Sequence, residues 1–176
     1  MNFPFRIVRF YRKNKKCQFY SIYKADSEIT EAEKFLNNDR NKQSDDFNRL
    51  KTRLNLIRER VGARTSFFRH EGGEYSLVKA FHAGNQKEFG YLEEARLRWY
   101  CIRLSERCII LGNGGEKKVA RTQDDPHLAE KEGDMRWVDQ VLDIAFDREY
   151  IWECEHGMLH GRLNYTKDFF EDYDIQ

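Results

Sequence analysis

The sequence predicts an α+β fold, in which a mostly antiparallel sheet carries a hairpin of two α-helices on one face. Three observations predict it. Strand-like runs of aromatic and β-branched residues flank two segments with helical spacing of apolar residues, and a helical, acidic segment follows. We expect the order strand, helix, helix and three or four strands, with one more strand from an N-terminal hairpin. Residues 1–125 should form the α+β domain, and residues 126–176 a helical acidic extension packed on it.

The charge of the chain is unevenly distributed. Its 176 residues are enough to bury a core without metal or disulfide, and the formal net charge is only +1. Residues 1–24 carry +7, residues 25–122 carry +4 and residues 123–176 carry −10. This asymmetry indicates a basic working surface followed by an acidic tail.

The sequence excludes several classes of protein. Its apolar runs are much shorter than the roughly 20 residues that span a bilayer, and the N-terminus lacks the apolar region of a signal peptide. We therefore expect a cytoplasmic protein that does not bind membranes. The cysteines form no CxxC pair and should be reduced, structural thiols. They are Cys17, Cys101, Cys108 and Cys154.

The first elements should be a β-hairpin and a helix. Aromatic and β-branched runs on either side of residues 12–16 are typical of a hairpin, with residues 17–23 as the better-buried strand. Asp26 or Ser27 can then cap a helix. Its apolar face would consist of Ile29, Ala32, Phe35 and Leu36.

The second helix has the clearest periodicity in the chain. It should begin at Ser44 or Asp45, end at Gly62 and form an antiparallel hairpin with the first helix. Apolar residues recur along it at spacings of three and four. They are Phe47, Leu50, Leu54, Ile57 and Val61.

Short strands and a last helix should follow. Residues 65–70, 74–82 and 98–111 have strand character, the last as a hairpin, whereas residues 83–95 favour no element. Asp125 and Pro126 are a typical helix start. Gly133 should interrupt this helix before it continues to about residue 147. Its apolar face would consist of Met135, Val138, Leu142 and Ala145.

A glycine run follows the predicted strand that ends at Leu111. Gly112, Gly114 and Gly115 precede Lys117 and fit neither the Walker nor the dinucleotide-binding pattern. We expect the glycines to lead the backbone out of the strand and to present Lys117, Lys118 and Arg121 near the sheet. A flexible connection with solvated lysines is the alternative.

The preceding strand carries the candidate chemistry. Alternation places Arg98 and Tyr100 on one face and Trp99 and Cys101 on the other. If Lys117 or Lys118 stood beside the first pair, the cluster would suit phosphate contact and base stacking.

The hairpin "LRWYCIRLSERCIIL", the "GEKK" after it and the order of elements resemble the RelE/HigB superfamily of bacterial toxins, over about residues 17–122. In that family an Arg-aromatic strand pairs with a strand that ends in Lys-Lys or Lys-Arg. The resemblance implies a toxin of a toxin–antitoxin system that cleaves mRNA through the RNA 2′-hydroxyl, without metal or other cofactor. Its implied partners are mRNA, the ribosome and a cognate antitoxin.

The resemblance also implies roles for individual residues. Arg98 would contact the scissile phosphate, and Tyr100 would stack a base or assist proton transfer. Lys117, Lys118 and Arg121 would hold RNA phosphates or supply an acid.

The chain departs from the family pattern by its extra N-terminal strand, by residues 83–95 and by its acidic tail. Activity does not follow from fold, so the alternative is a non-catalytic nucleic-acid-binding or protein-binding module of a phage or mobile element. A further hypothesis is that residues 123–176 partly shield the basic face.

Other basic residues suggest an RNA or ribosome contact, although charge that protects an edge strand would explain the N-terminal ones equally well. They are Arg6, Arg9, Arg12, Lys13, Lys15, Lys16 and Arg96.

The histidines predict less. His70, His82 and His127 should be surface residues. Cys154, His156 and His160 have metal-like spacing, but a zinc site would need a fourth ligand from Cys17, Asp168 or elsewhere, so we expect no metal site.

Overall fold

The computed structural model describes residues 2–70, 76–84, 86–88, 91–93, 96–118 and 125–175, with the backbone alone for 86–88 and 91–93. Its strands are β1 (Phe5–Arg9), β2 (Gln18–Lys24), β3 (Phe68–His70), β4 (Val78–Phe81), β5 (Gln86–Glu88), β6 (Tyr91–Glu93), β7 (Leu97–Ser105), β8 (Cys108–Glu116), β9 (Ile151–Glu153), β10 (Leu159–Gly161) and β11 (Asn164–Tyr165). Its α-helices are α1 (Glu31–Asn37), α2 (Asp39–Gln43), α3 (Asp46–Leu56), α4 (Pro126–Asp147) and α5 (Lys167–Asp172). A π-helical turn (Ile57–Val61) extends α3, and a 3-10 turn (Thr65–Phe67) precedes β3.

Seven strands form one sheet in the order β11-β1-β2-β8-β7-β4-β3. The β2–β8 pair is parallel and the other pairs are antiparallel. The predicted mixed α+β class with a mostly antiparallel sheet is therefore confirmed, as is the N-terminal hairpin of β1 and β2. Strand β2 is the more buried of the two, as its sequence indicates.

The two faces of the sheet contribute to two separate cores. Phe19 and Trp99 pack in a cluster with Phe35 of α1 and with Leu50 of α3. Their neighbours along the same strands, Tyr20 and Tyr100, belong to the other cluster. That second cluster contains the buried apolar residues of α4 and α5: Leu128, Met135, Trp137, Val138, Val141, Leu142, Ala145, Phe169 and Phe170. Helices thus cover both faces of the sheet.

The first helix begins later than the sequence predicts. Its cap is Thr30, which accepts from the Glu33 N–H at 3.2 Å, while the Glu33 carboxylate accepts from the Thr30 N–H at 2.7 Å. The expectation that Asp26 or Ser27 caps it was wrong, because this reciprocal capping box satisfies two backbone donors. Ile29 therefore precedes the helix and is 40% exposed.

Of the predicted stripe, Phe47, Leu50 and Leu54 of α3 and Ile57 of the π-helical turn are buried, whereas Val61 is half-buried. The sequence did not predict the short helix α2, which lies between α1 and α3. Gly62 ends the π-helical turn with φ of 74°, a conformation that favours glycine.

Helix α4 is continuous through Gly133, so the predicted interruption was wrong. Met135, Val138, Leu142 and Ala145 are all buried, and this long stripe outweighs the roughly 1 kcal/mol that one exposed glycine costs a helix. Asp125 caps the helix and Pro126 is its first residue, as predicted. Neither α4 nor another helix in the described ranges has the apolar length needed to cross a membrane.

Candidate nucleic-acid interface

The glycine run lies inside β8 and not in an exit loop. Gly115 pairs with Arg98, and Gly114 pairs with Trp99, so the strand continues to Glu116. A register irregularity between Trp99 and Cys101 places two residues of β8, Gly112 and Asn113, opposite the single residue Tyr100 of β7. The expectation that the glycines lead the backbone away after Leu111, or form a flexible connection, was therefore wrong.

Close packing explains these glycines. A Cβ on Gly112 would overlap the Met135 side chain of α4, and a Cβ on Gly114 would overlap the carbonyl oxygen of Arg98. Gly115 lies against His127 and Leu128, where a Cβ would sit 3.4 Å from the imidazole. Because the glycines have no side chains, β8 can form the β-bulge at this register irregularity and α4 can approach the sheet closely.

Arg98 and Tyr100 are buried. Arg98 is 1% exposed and Tyr100 is 0% exposed, and Tyr100 packs in the cluster that contains α4. One Arg98 guanidinium nitrogen donates to the Leu97 carbonyl oxygen at 3.3 Å. Helix α4, which the glycines allow to approach the sheet, thus covers the face to which alternation assigns Arg98 and Tyr100. Neither side chain faces solvent in this structure.

Among the described residues, Lys117 and Lys118 are not part of a dense group of cations. Lys117 is half-buried, and its backbone N–H donates to the Arg96 carbonyl oxygen at 2.9 Å. Lys118 is exposed and lines a cleft of about 360 Å³, in which Arg40 is its cationic neighbour and Asp39, Glu116 and Asp125 are acidic. Arg121 lies outside the described residues.

A different surface collects positive charge. We call it the basic end, and it comprises residues 10–17, 57–64 and 105–107, which are the β1–β2 loop, the π-helical turn extended to residue 64, and the β7–β8 turn. These residues include two carboxylates, Glu59 and Glu106, and eight cations. The cations are Arg12, Lys13, Lys15, Lys16, Arg58, Arg60, Arg64 and Arg107.

Backbone hydrogen bonds hold the three segments together. The N–H groups of Lys15 and Lys16 donate to the Arg58 carbonyl oxygen at 3.3 and 2.9 Å. The Ala63 N–H donates to the Glu106 carbonyl oxygen at 2.7 Å. The Gln18 N–H donates to the Arg107 carbonyl oxygen at 2.7 Å. Because these contacts join segments that are distant in sequence, the cations stand on a fixed scaffold.

Side-chain contacts leave most of this charge accessible. Arg58 lies 4.5 Å from the Tyr11 ring centre and 3.2 Å from a Glu59 carboxylate oxygen. Burial raises the pKa of Tyr11, and Arg58 partly opposes the rise, so the phenol adds no negative charge at neutral pH. The Lys15 side chain is 79% exposed despite its 3.7 Å contact with Glu59. The exposed cations are Arg12, Lys13, Lys15, Lys16, Arg60, Arg64 and Arg107.

The structure gathers only part of the predicted RNA-binding set. Arg12, Lys13, Lys15 and Lys16 belong to the basic end, and neighbouring Arg9 donates to the Gln18 side chain at 2.7 Å. Two other members lie elsewhere. Arg6 is on β1 with its guanidinium 5.2 Å from the Tyr23 ring centre, and Arg96 precedes β7 at the opposite end of the sheet.

Four cations of the basic end were not among the RNA-binding residues predicted from the sequence. Arg58, Arg60 and Arg64 follow the apolar stripe of α3, and Arg107 occupies a two-residue turn. The run "IRERVGAR" was the available signal, since it concentrates arginines where the helix ends. Its proximity to the N-terminal loop is a long-range contact, made where the Lys15 and Lys16 N–H groups donate to the Arg58 carbonyl oxygen.

The cysteines and histidines do not form a second candidate site in the part of the chain that the structure describes. Burial raises the pKa of Cys17 to about 12 and also raises the pKa of Cys101 and Cys108, so these thiols stay protonated. Within the described residues, no three His, Cys, Asp or Glu side chains lie close enough together to hold a metal ion. His70 and His127 are exposed, and His82 is half-buried, with Nδ1 accepting from the Gly84 N–H at 3.0 Å.

We compared the chain with protein-family models, curated proteins and solved structures, and none of them matches.

Proposed function

We propose that the chain binds the phosphate backbone of a nucleic acid through the basic end. One observation carries the proposal: three segments, hydrogen-bonded to one another, present eight cations and two carboxylates of their own, while the Glu153 carboxylate of β9 is bonded to Ser105. Arg and Lys side chains neutralise phosphates and release condensed counterions, which is the main source of sequence-independent affinity for nucleic acids. Arginines add paired N–H donors that match phosphate oxygens.

Burial of the other candidate residues favours binding without cleavage. Arg98 is buried, and Tyr100 could reach a scissile phosphate only if α4 left the sheet. That movement would expose the apolar side chains that α4 buries there, among them Met135, Val138 and Leu142. Each of these contributes about 1.5–3 kcal/mol by its burial, so the open state would be sparsely populated. The ribonuclease toxin with a cognate antitoxin therefore remains the second proposal and rests on the resemblance.

The test measures fluorescence anisotropy of a labelled 20-nucleotide RNA at 50 and 200 mM salt. We expect Arg12→Glu with Lys13→Glu to weaken binding at least tenfold and to lower the salt slope by about 0.7 for every single-strand phosphate that the variant no longer neutralises. Arg40→Glu with Lys42→Glu is the matched control, because it makes the same charge change on α2. Equal weakening in both double variants would show that net charge alone governs binding, and would overturn the assignment of the basic end.

The same samples test the second proposal. We expect the labelled RNA to stay intact on a denaturing gel after hours with the protein. Shortened products that disappear with Arg98→Lys, in a variant with unchanged thermal unfolding, would support the ribonuclease toxin and contradict binding without cleavage.

A further inference from the structure

The β9–β10 hairpin displays a tryptophan to solvent. Trp152 is 53% exposed, whereas the other two tryptophans, Trp99 and Trp137, are 0% and 4% exposed. A large indole normally contributes to stability by burial, whereas an exposed indole offers a flat ring face for contact with another molecule.

A second ring and a rigid base accompany this indole. His160 is directly opposite Trp152 in the hairpin, with ring centres 5.8 Å apart and planes inclined by 18°. The residues beside them in sequence, Ile151 and Leu159, face inward and are buried. The Leu159 N–H also donates to the Tyr20 hydroxyl at 2.9 Å. The two stacked rings therefore project from a hairpin that is anchored in the core.

The hairpin that carries this ring pair contacts the basic end. Ser105 donates to the Glu153 carboxylate at 2.5 Å, and the Arg107 guanidinium donates to the Glu155 carbonyl oxygen. Trp152 precedes Glu153 and Glu155, the two residues of these contacts, by one and three positions. A flexible strand whose phosphates contact Arg107 could thus place a base at the indole.

We propose that Trp152 and His160 form a base-stacking platform for single-stranded nucleic acid, an inference that rests on the proposed function. Sites for single strands combine a cationic track along the backbone with aromatic side chains on which bases stack. A duplex keeps its bases inside and cannot use such a platform. The exposed Glu155 carboxylate, also in this hairpin, lies 3.4 Å from His156 Nε2.

Tryptophan fluorescence tests the platform directly, because Trp152 is the one solvent-exposed indole among the three tryptophans. Unlabelled dT12 and U12 should both quench the emission of the wild-type protein, since stacking involves the base and not the sugar. A 12-base-pair duplex should bind but quench weakly, and Trp152→Phe should lose the quenching. Equal quenching by duplex and single strand would overturn the platform.

Affinity for labelled U12 supplies the second measurement. We expect Trp152→Leu to weaken binding about tenfold and Trp152→Phe to restore most of the affinity, because phenylalanine also stacks. Ile29→Ala, which shortens another exposed apolar side chain, is the matched control and should bind normally. Wild-type affinity in Trp152→Leu would overturn the platform while leaving the basic end intact. Absence of binding by the wild type at 50 mM salt would overturn both proposals.

Discussion

At the scale of single residues, packing determines what the unusual residues do. Gly112 and Gly114 interrupt an apolar strand, where glycine normally weakens pairing, yet each stands where a side chain would collide with a neighbour. Alternation along β7 correctly separated Tyr100 from Trp99 but could not show that both rings would be covered. Residue patterns therefore indicate a side chain's direction more reliably than its exposure.

Two glycine substitutions with opposite expected effects test this explanation. Gly114→Ala should lower the free energy of unfolding by about 1–3 kcal/mol, because its Cβ would meet the backbone of Arg98. Gly133→Ala should raise it by about 0.5–1 kcal/mol, since no atom lies within 4 Å of a Cβ there and alanine favours the helix. Urea unfolding followed by circular dichroism measures both. A neutral Gly114→Ala would contradict the proposed close approach.

At the scale of elements, helix bodies are easier to predict than helix ends. The apolar stripes of α3 and α4 identify their buried faces because helical periodicity is a local property. The start of α1 was misjudged because several polar residues in "DSEITEAE" can cap a helix. Which one does so depends on where the chain leaves β2 and on the Ser21 hydroxyl, which accepts from the Ala32 N–H at 3.0 Å.

The capping box of α1 gives a prediction at this scale. Thr30→Ala should cost about 1 kcal/mol of stability, because the Glu33 N–H loses its acceptor at a buried position. Ser27→Ala removes a hydroxyl that donates to the Ile29 carbonyl oxygen outside the helix, and should cost less than half as much. Thermal unfolding of the two variants would distinguish them, and a larger loss at Ser27 would contradict the assigned cap.

At the scale of the whole molecule, residues 126–175 are integrated with the sheet. Helix α4 covers one face, and β11 pairs with β1 at the edge. Lys24 of β2 also forms an ion pair with Asp134 of α4 at 2.5 Å. Residues 126–175 therefore contribute apolar side chains to the core as well as negative charge.

Truncation separates this structural role from the shielding hypothesis. A chain that ends at residue 125 should lose its cooperative unfolding transition and bind a hydrophobic dye, because Tyr100, Ile102 and Ile110 would lose their apolar cover. Circular dichroism and dye fluorescence measure this outcome. A folded, truncated chain that binds RNA more tightly would instead favour an acidic tail that shields the basic face.

The sequence by itself determined the types of most elements, the apolar faces of α3 and α4, the N-terminal hairpin and the separation of Arg98 and Tyr100 from Trp99. These properties follow from periods of two and 3.6 residues, which depend on near neighbours in the chain. Only the tertiary structure decided that α4 covers Tyr100 and that Arg98 is buried. It also decided that the glycines belong to β8, and that Lys15 and Lys16 meet Arg58 while Arg107 lies beside Gln18. Strand order and long-range contacts place distant segments together, and a local pattern does not encode which segment covers another.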